Sequence, residues 1–157
     1  MRHPAVLLAV AALVGCANAG NKPADSTPAA AATAQSTQSA PIRLADVAGT
    51  WKMTGRNAAN DSTLVTYELV ATPDTTGWLQ RSAGKPDIPV RVTSVAGDSI
   101  VLDVGPYESM LRKGVQVTTH SVNRLANGKF VGTLVAHYRS ATSDSVLSVN
   151  TEGVKAP

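Results

Sequence analysis

Few side chains in this 157-residue chain have the types and spacing to do chemistry. His120 and His137 are two imidazoles that could share a metal ion if the fold brings them together. Ser99 follows Asp98, and Ser82 stands three positions before Lys85, so each serine has a charged neighbour of the kind that assists a nucleophile. Cys16 is the single thiol. A serine nucleophile needs a histidine to take its proton and a carboxylate to hold that histidine. A Ser-x-x-Lys pair works at a helix start, but Ser82-Ala83-Gly84-Lys85 runs straight into Pro86 and has loop composition.

The histidines can be placed by register. With Asn127-Gly128 at the tip of a two-residue hairpin, His120 faces Val135 and His137 faces Thr118. The two rings are then diagonal neighbours, about 7–8 Å apart between backbones. A metal ion wants at least a third ligand. Gln116, Thr118 and Arg139 surround the pair, and this register brings no carboxylate or thiolate to it. The other face of the hairpin (Val117, Leu125, Phe130, Leu134, Tyr138) is the more apolar, so the interior is expected there and the histidines outside. No metal, cofactor or catalytic residue is expected, and the chain is not expected to be an enzyme.

Gly97-Asp98-Ser99 is identical to the short nucleophile block of one esterase and lipase family. That family supplies its base in a late Asp-x-x-His, and neither His120 nor His137 has an aspartate three residues before it. The alternating strand–helix pattern of that fold is also missing. "AGDS" is therefore expected to be a hairpin turn.

Cys16 ends an apolar run. Met1-Arg2-His3 is a short basic start, and residues 5–14 form a continuous apolar stretch. Ten residues are too few to span a bilayer, which takes about 20, but they suit the hydrophobic part of a secretory signal peptide. Leu13-Val14-Gly15-Cys16 resembles the lipobox of bacterial lipoproteins. The resemblance implies that residues 1–15 are a signal peptide and that Cys16 becomes the first mature residue and carries acyl chains. It further implies membrane attachment in the bacterial cell envelope. Ala17 is not the acidic residue associated with inner-membrane retention, so the outer membrane, facing the periplasm, is favoured. Lipidation would also account for the lone cysteine, which can form no internal disulfide and would be a liability where thiols oxidise.

Residues 16–44 are mostly Ala, Ser, Thr, Pro, Gln and Asn, with no aromatic residue and no hydrophobic periodicity. Such a segment cannot bury enough apolar surface to offset its ordering entropy. It reads as a tether of about 30 Å average reach for a flexible chain of this length.

Residues 45–157 read as one all-β domain. Alternation and turn chemistry place strands over 48–54, 63–72, 77–82, 88–95, 99–104, 115–125, 129–139 and 145–151. Val65, Tyr67, Leu69 and Ala71 share a face, as do Ile88, Val90 and Val92, and both sets are expected inside. Short links make consecutive strands antiparallel, and an even number lets the last strand return to the first and close the sheet. Gly49-Thr50-Trp51 on the first strand resembles the Gly-x-Trp of lipocalins. The resemblance implies a small closed barrel whose tryptophan plugs one end against a basic side chain near the last strand, with Arg139 a candidate. An open or sandwiched antiparallel sheet is the alternative. The long link 105–114 reads either as a short lid helix or as a ninth strand.

Net charge is +3 and only 16% of residues are charged, with no basic cluster or aromatic platform, so nucleic acid is not an expected partner. Two functions fit a lipid-anchored barrel. One is binding of a small apolar ligand, with Trp51, Met53, Tyr67, Trp78 and Tyr138 the candidate lining and Ile100 and Leu102 beside them. Trp78 shares its face with Gln80 and Ser82, a mixture of apolar and polar groups typical of binding sites. The other is a structural or assembly role, with a filled barrel and envelope proteins as partners.

Overall fold

The structure, a computed structural model, describes residues 41–139 and 144–157. The expected signal peptide, the lipobox-like segment with Cys16 and the expected tether up to residue 40 lie outside the described residues, as does most of the link over 140–144. A short helix, α1 (Leu44–Val47), precedes eight strands. These are β1 (Gly49–Asn57), β2 (Thr63–Ala71), β3 (Trp78–Arg81), β4 (Ile88–Ala96), β5 (Ser99–Glu108), β6 (Gln116–Ala126), β7 (Lys129–Arg139) and β8 (Ser145–Lys155). Each pairs antiparallel with the next, and β8 returns to β1 to close the barrel. The fold is the expected all-β meander, and closure removes every free sheet edge.

Alternation decides which side chains enter. On β2, Leu69 and Ala71 are buried while Thr66 is exposed. On β4, Val90 is buried between exposed Pro89 and Arg91. The β6–β7 hairpin turns on Asn127 (φ 52°) and Gly128 (φ 73°), which fixes His120 opposite Val135 and His137 opposite Thr118 as expected. Val117, Phe130 and Tyr138 are then buried and both histidines exposed. Gly97-Asp98 turns between β4 and β5, and Ser82–Lys85 is a loop. Outward positions carry charges such as Lys52, Arg56, Arg91, Arg124 and Lys129. That pattern reverses a membrane-spanning barrel, whose outer band is apolar.

Three expectations need correction. The link 105–114 is neither a lid helix nor a ninth strand. Strand β5 continues through it to Glu108, with a register shift between Val104 and Tyr107, and turns follow. Gly105 makes that passage possible: its φ is +106°, and a Cβ there would lie 2.7 Å from the Val117 carbonyl oxygen of β6. The folded part also begins earlier than position 45. Ile42 is buried, its N–H donates to the Gly97 carbonyl, and Leu44 packs on the core. Finally, β8 runs four residues past its expected end at Thr151, to Lys155.

Candidate functional site

The meander puts the β2–β3, β4–β5 and β6–β7 turns at one end of the barrel, beside α1, and the β5–β6 segment at the other. The α1 end is filled. Trp51 and Trp78 are almost wholly buried there with Met53, Ile100 and Phe130. The Trp51 and Phe130 rings pack with centroids 5.5 Å apart. Buried indoles need an acceptor for N–H, and each has one. Trp51 Nε1 donates to the Val47 carbonyl at 2.7 Å, which serves the C-terminal carbonyl of α1. Trp78 Nε1 donates to the Asp74 carbonyl at 2.7 Å. Lys155 on β8 sits over Trp51, with Nζ 5.5 Å from the ring centroid. Gly49 explains how it fits: a Cβ there would lie 2.8 Å from Lys155 Cε, and its φ is +129°. The basic partner of the first-strand tryptophan is therefore Lys155. Arg139 pairs with Gln116 at the far end of β7 and cannot reach Trp51.

The other end is different. All three tyrosines of the chain, Tyr67, Tyr107 and Tyr138, line a cavity of about 40 Å³. Gln80, Thr119 and Thr151 line it too, and Ser109, Met110 and Leu111 of the β5–β6 segment close it from above. Gln80 and Thr151 are 4% and 5% exposed, yet Gln80 Nε2 and Thr151 Oγ1 have no hydrogen-bond partner. Register explains Thr151: it stands between Gly55 of β1 and Gly132 of β7, neither of which offers a side chain to meet its hydroxyl. Tyr67 is only partly buried as a residue, but desolvation of its phenol, helped by Tyr107 nearby, pushes its pKa far above the usual range. Burial also raises Tyr107, while the Gln80 and Thr119 side chains pull it back; the Gln80 amide faces the Tyr107 hydroxyl but falls short of hydrogen-bond geometry, which leaves Nε2 unpartnered. The cavity thus resists negative charge.

The segment over the cavity is held by local bonds, by contacts to Tyr138 and Ser145, and by Ser82 Oγ, which donates to Met110 Sδ at 3.0 Å. Ser109 Oγ accepts the N–H groups of Leu111 and Arg112, and Glu108 Oε1 accepts that of Gly114. Arg112 lies over the Tyr138 ring at 4.1 Å and donates to Ser145 Oγ.

Of the five candidate lining residues, Tyr67 and Tyr138 face the cavity, whereas Trp51, Met53 and Trp78 belong to the filled half, with Ile100 and Leu102. Gln80 shares the Trp78 face as read from the sequence. Tyr107, Thr119 and Thr151 are additions: Tyr107 lies past the expected end of β5, while Thr119 and Thr151 lie within expected strands and enter the cavity only through the closed register. The histidines do gain a carboxylate. Asp103 of β5 stands opposite His120, and its Oδ1 lies 2.7 Å from His120 Nδ1, while Arg91 of β4 approaches its other oxygen at 3.9 Å. This stripe is on the outer wall. Among the described residues no group of three or more His, Cys, Asp or Glu forms a metal site.

Comparison with family models, with curated proteins and with solved structures finds no match to this chain. The closed eight-strand antiparallel barrel is compatible with a lipocalin-like one.

Proposed function

We propose that this protein is a lipid-anchored component of the bacterial cell envelope, held by acyl chains on Cys16 in the outer membrane, whose barrel binds a small, largely apolar ligand at its tyrosine end. It acts by binding and does no chemistry on the ligand. One observation supports the binding site above the rest: two buried polar groups without protein partners line the same cavity beneath the irregular β5–β6 segment. Buried polar atoms are paired in nearly all native interiors, with protein or with water, so two without a protein partner in one cavity mark a place for a polar group from outside the chain. The ligand must displace Met110 and Leu111 to enter, since pockets for drug-sized ligands run to roughly 300–1,000 Å³.

That volume also favours the second reading. About 40 Å³ leaves the barrel nearly filled, as an assembly protein acting through its outer wall would have it. Native mass spectrometry of protein extracted gently from its membrane separates the two. A stoichiometric small-molecule adduct supports the binding module, and a bare protein mass at every extraction condition supports the assembly role. The anchor has its own test: Cys16→Ala should abolish incorporation of a radioactive fatty acid, and undiminished labelling would sink the lipoprotein assignment.

A further inference from the structure

The cavity chemistry says more about the occupant than its size does. Gln80 Nε2 is a donor with no acceptor capacity, so the partner it lacks is an acceptor. Thr151 Oγ1, unmatched in the same cavity, can donate or accept. No Lys, Arg, His, Asp or Glu lines this cavity. A charged group inside would be desolvated without a counter-charge, which is costly. The raised phenols of Tyr67 and Tyr107 report the same environment. The space of about 40 Å³ admits a small polar group, since roughly 10–15 Å³ of such space is enough for one water molecule. An alkyl tail does not fit there. Its way out is beneath Met110 and Leu111, and Leu111 is already 41% exposed at the rim.

We propose that the ligand is an uncharged amphiphile whose polar head, a hydrogen-bond acceptor such as a carbonyl, lodges between Gln80 Nε2 and Thr151 Oγ1. Its apolar tail leaves the barrel in the place now taken by the Met110 and Leu111 side chains. This inference rests on the ligand-binding reading and narrows it to a chemical class, excluding free carboxylates and plain hydrocarbons as preferred ligands.

Three probes of equal chain length test it: methyl pentyl ketone, heptanoate and heptane. Each is titrated into the full chain in phospholipid nanodiscs, with free concentrations corrected for partition into empty discs. The readout is the ring carbon resonances of labelled tyrosine, because all three tyrosines line the cavity. The ketone should shift these signals saturably and bind at least tenfold more tightly than heptanoate or heptane. Gln80→Leu should weaken ketone binding about five- to tenfold, the scale of one neutral hydrogen bond, and leave heptane unchanged. Thr151→Val, closer in shape to the native residue, should weaken it two- to threefold and serves if Gln80→Leu does not fold. Heptanoate or heptane binding as tightly as the ketone, or a ketone affinity indifferent to both variants, overturns the head-group inference and leaves the binding module standing. Silence of all three tyrosines to all three probes removes the binding module itself.

Discussion

The two ends of this barrel are built by the same eight strands and come out opposite. At the α1 end the largest side chains of the molecule meet, and each buried indole N–H has a carbonyl at 2.7 Å. At the tyrosine end the side chains are mixed, a cavity remains, and Gln80 Nε2 and Thr151 Oγ1 go without partners. Burying apolar area contributes roughly 25 cal/mol per Å², whereas an unpaired buried polar atom costs about 1–3 kcal/mol. The α1 end is therefore where stability resides, and the tyrosine end is where it has been given up. Residues held in an unfavourable state persist where another requirement keeps them; under the binding proposal that requirement is the ligand.

The largest effect should come from Trp51→Ala. It removes a ring packed on Phe130, exposes the Val47 carbonyl and leaves Lys155 without its aromatic surface. Core Trp→Ala changes cost about 3–5 kcal/mol, so denaturant unfolding should show a fall of that size. A loss below about 1 kcal/mol would mean that the α1 end does not carry the fold.

Gly49→Ala should come next, at about 1–3 kcal/mol. The new Cβ meets Lys155 Cε, and the backbone there has φ +129°. Pairing it with Lys155→Ala separates the two causes. The double variant should recover only the part due to the clash, because the φ penalty stays; full recovery would show that the backbone conformation itself costs nothing.

How much of this contrast could be read before the fold was seen depends on range. Local signals worked well: Asn127-Gly128 set the β6–β7 register residue by residue, and the alternation of Val65, Tyr67, Leu69 and Ala71 set the inward face of β2. Signals that need closure did not. Lys155 meets Trp51 only because β8 pairs with β1, and Glu152-Gly153-Val154-Lys155 reads as a polar tail on its own. Asp103 meets His120 across β5 and β6, whose connection is long and irregular enough to hide their register. The helix α1 is four residues long, too short for any periodicity to show. The site suffered most, since Thr151 is a candidate only when Gly55 and Gly132 are known to flank it.

The sign of the effect should reverse at the tyrosine end. Thr151→Val keeps the shape and removes an unmatched hydroxyl, so the ligand-free protein should gain on the order of 1 kcal/mol. Its midpoint in urea should rise, while Trp51→Ala lowers it. A loss of stability would mean that the hydroxyl has a partner in solution, and the contrast between the two ends would then shrink to one of packing alone.

The smallest effect is zero at neutral pH and emerges only in alkali. An ordinary tyrosine ionises near pH 10, and burial raises Tyr67 above that in the folded state. The folded chain then holds a proton that the unfolded chain releases. Since ∂ΔG(unfolding)/∂pH is proportional to the protons bound unfolded minus those bound folded, the slope is negative above pH 10, and stability falls as pH rises. Below pH 10 both states keep the proton and nothing changes. Every other group is common to both proteins when wild type is compared with Tyr67→Phe, which has no phenol to ionise. Thermal midpoints should fall less steeply from pH 9.5 to 11 in the variant, whereas Lys52→Ala, exposed on the outer wall, should leave the steepness as it is. Equal slopes for wild type and Tyr67→Phe would show that the Tyr67 hydroxyl reaches water freely, and with it that the cavity is open when no ligand is bound.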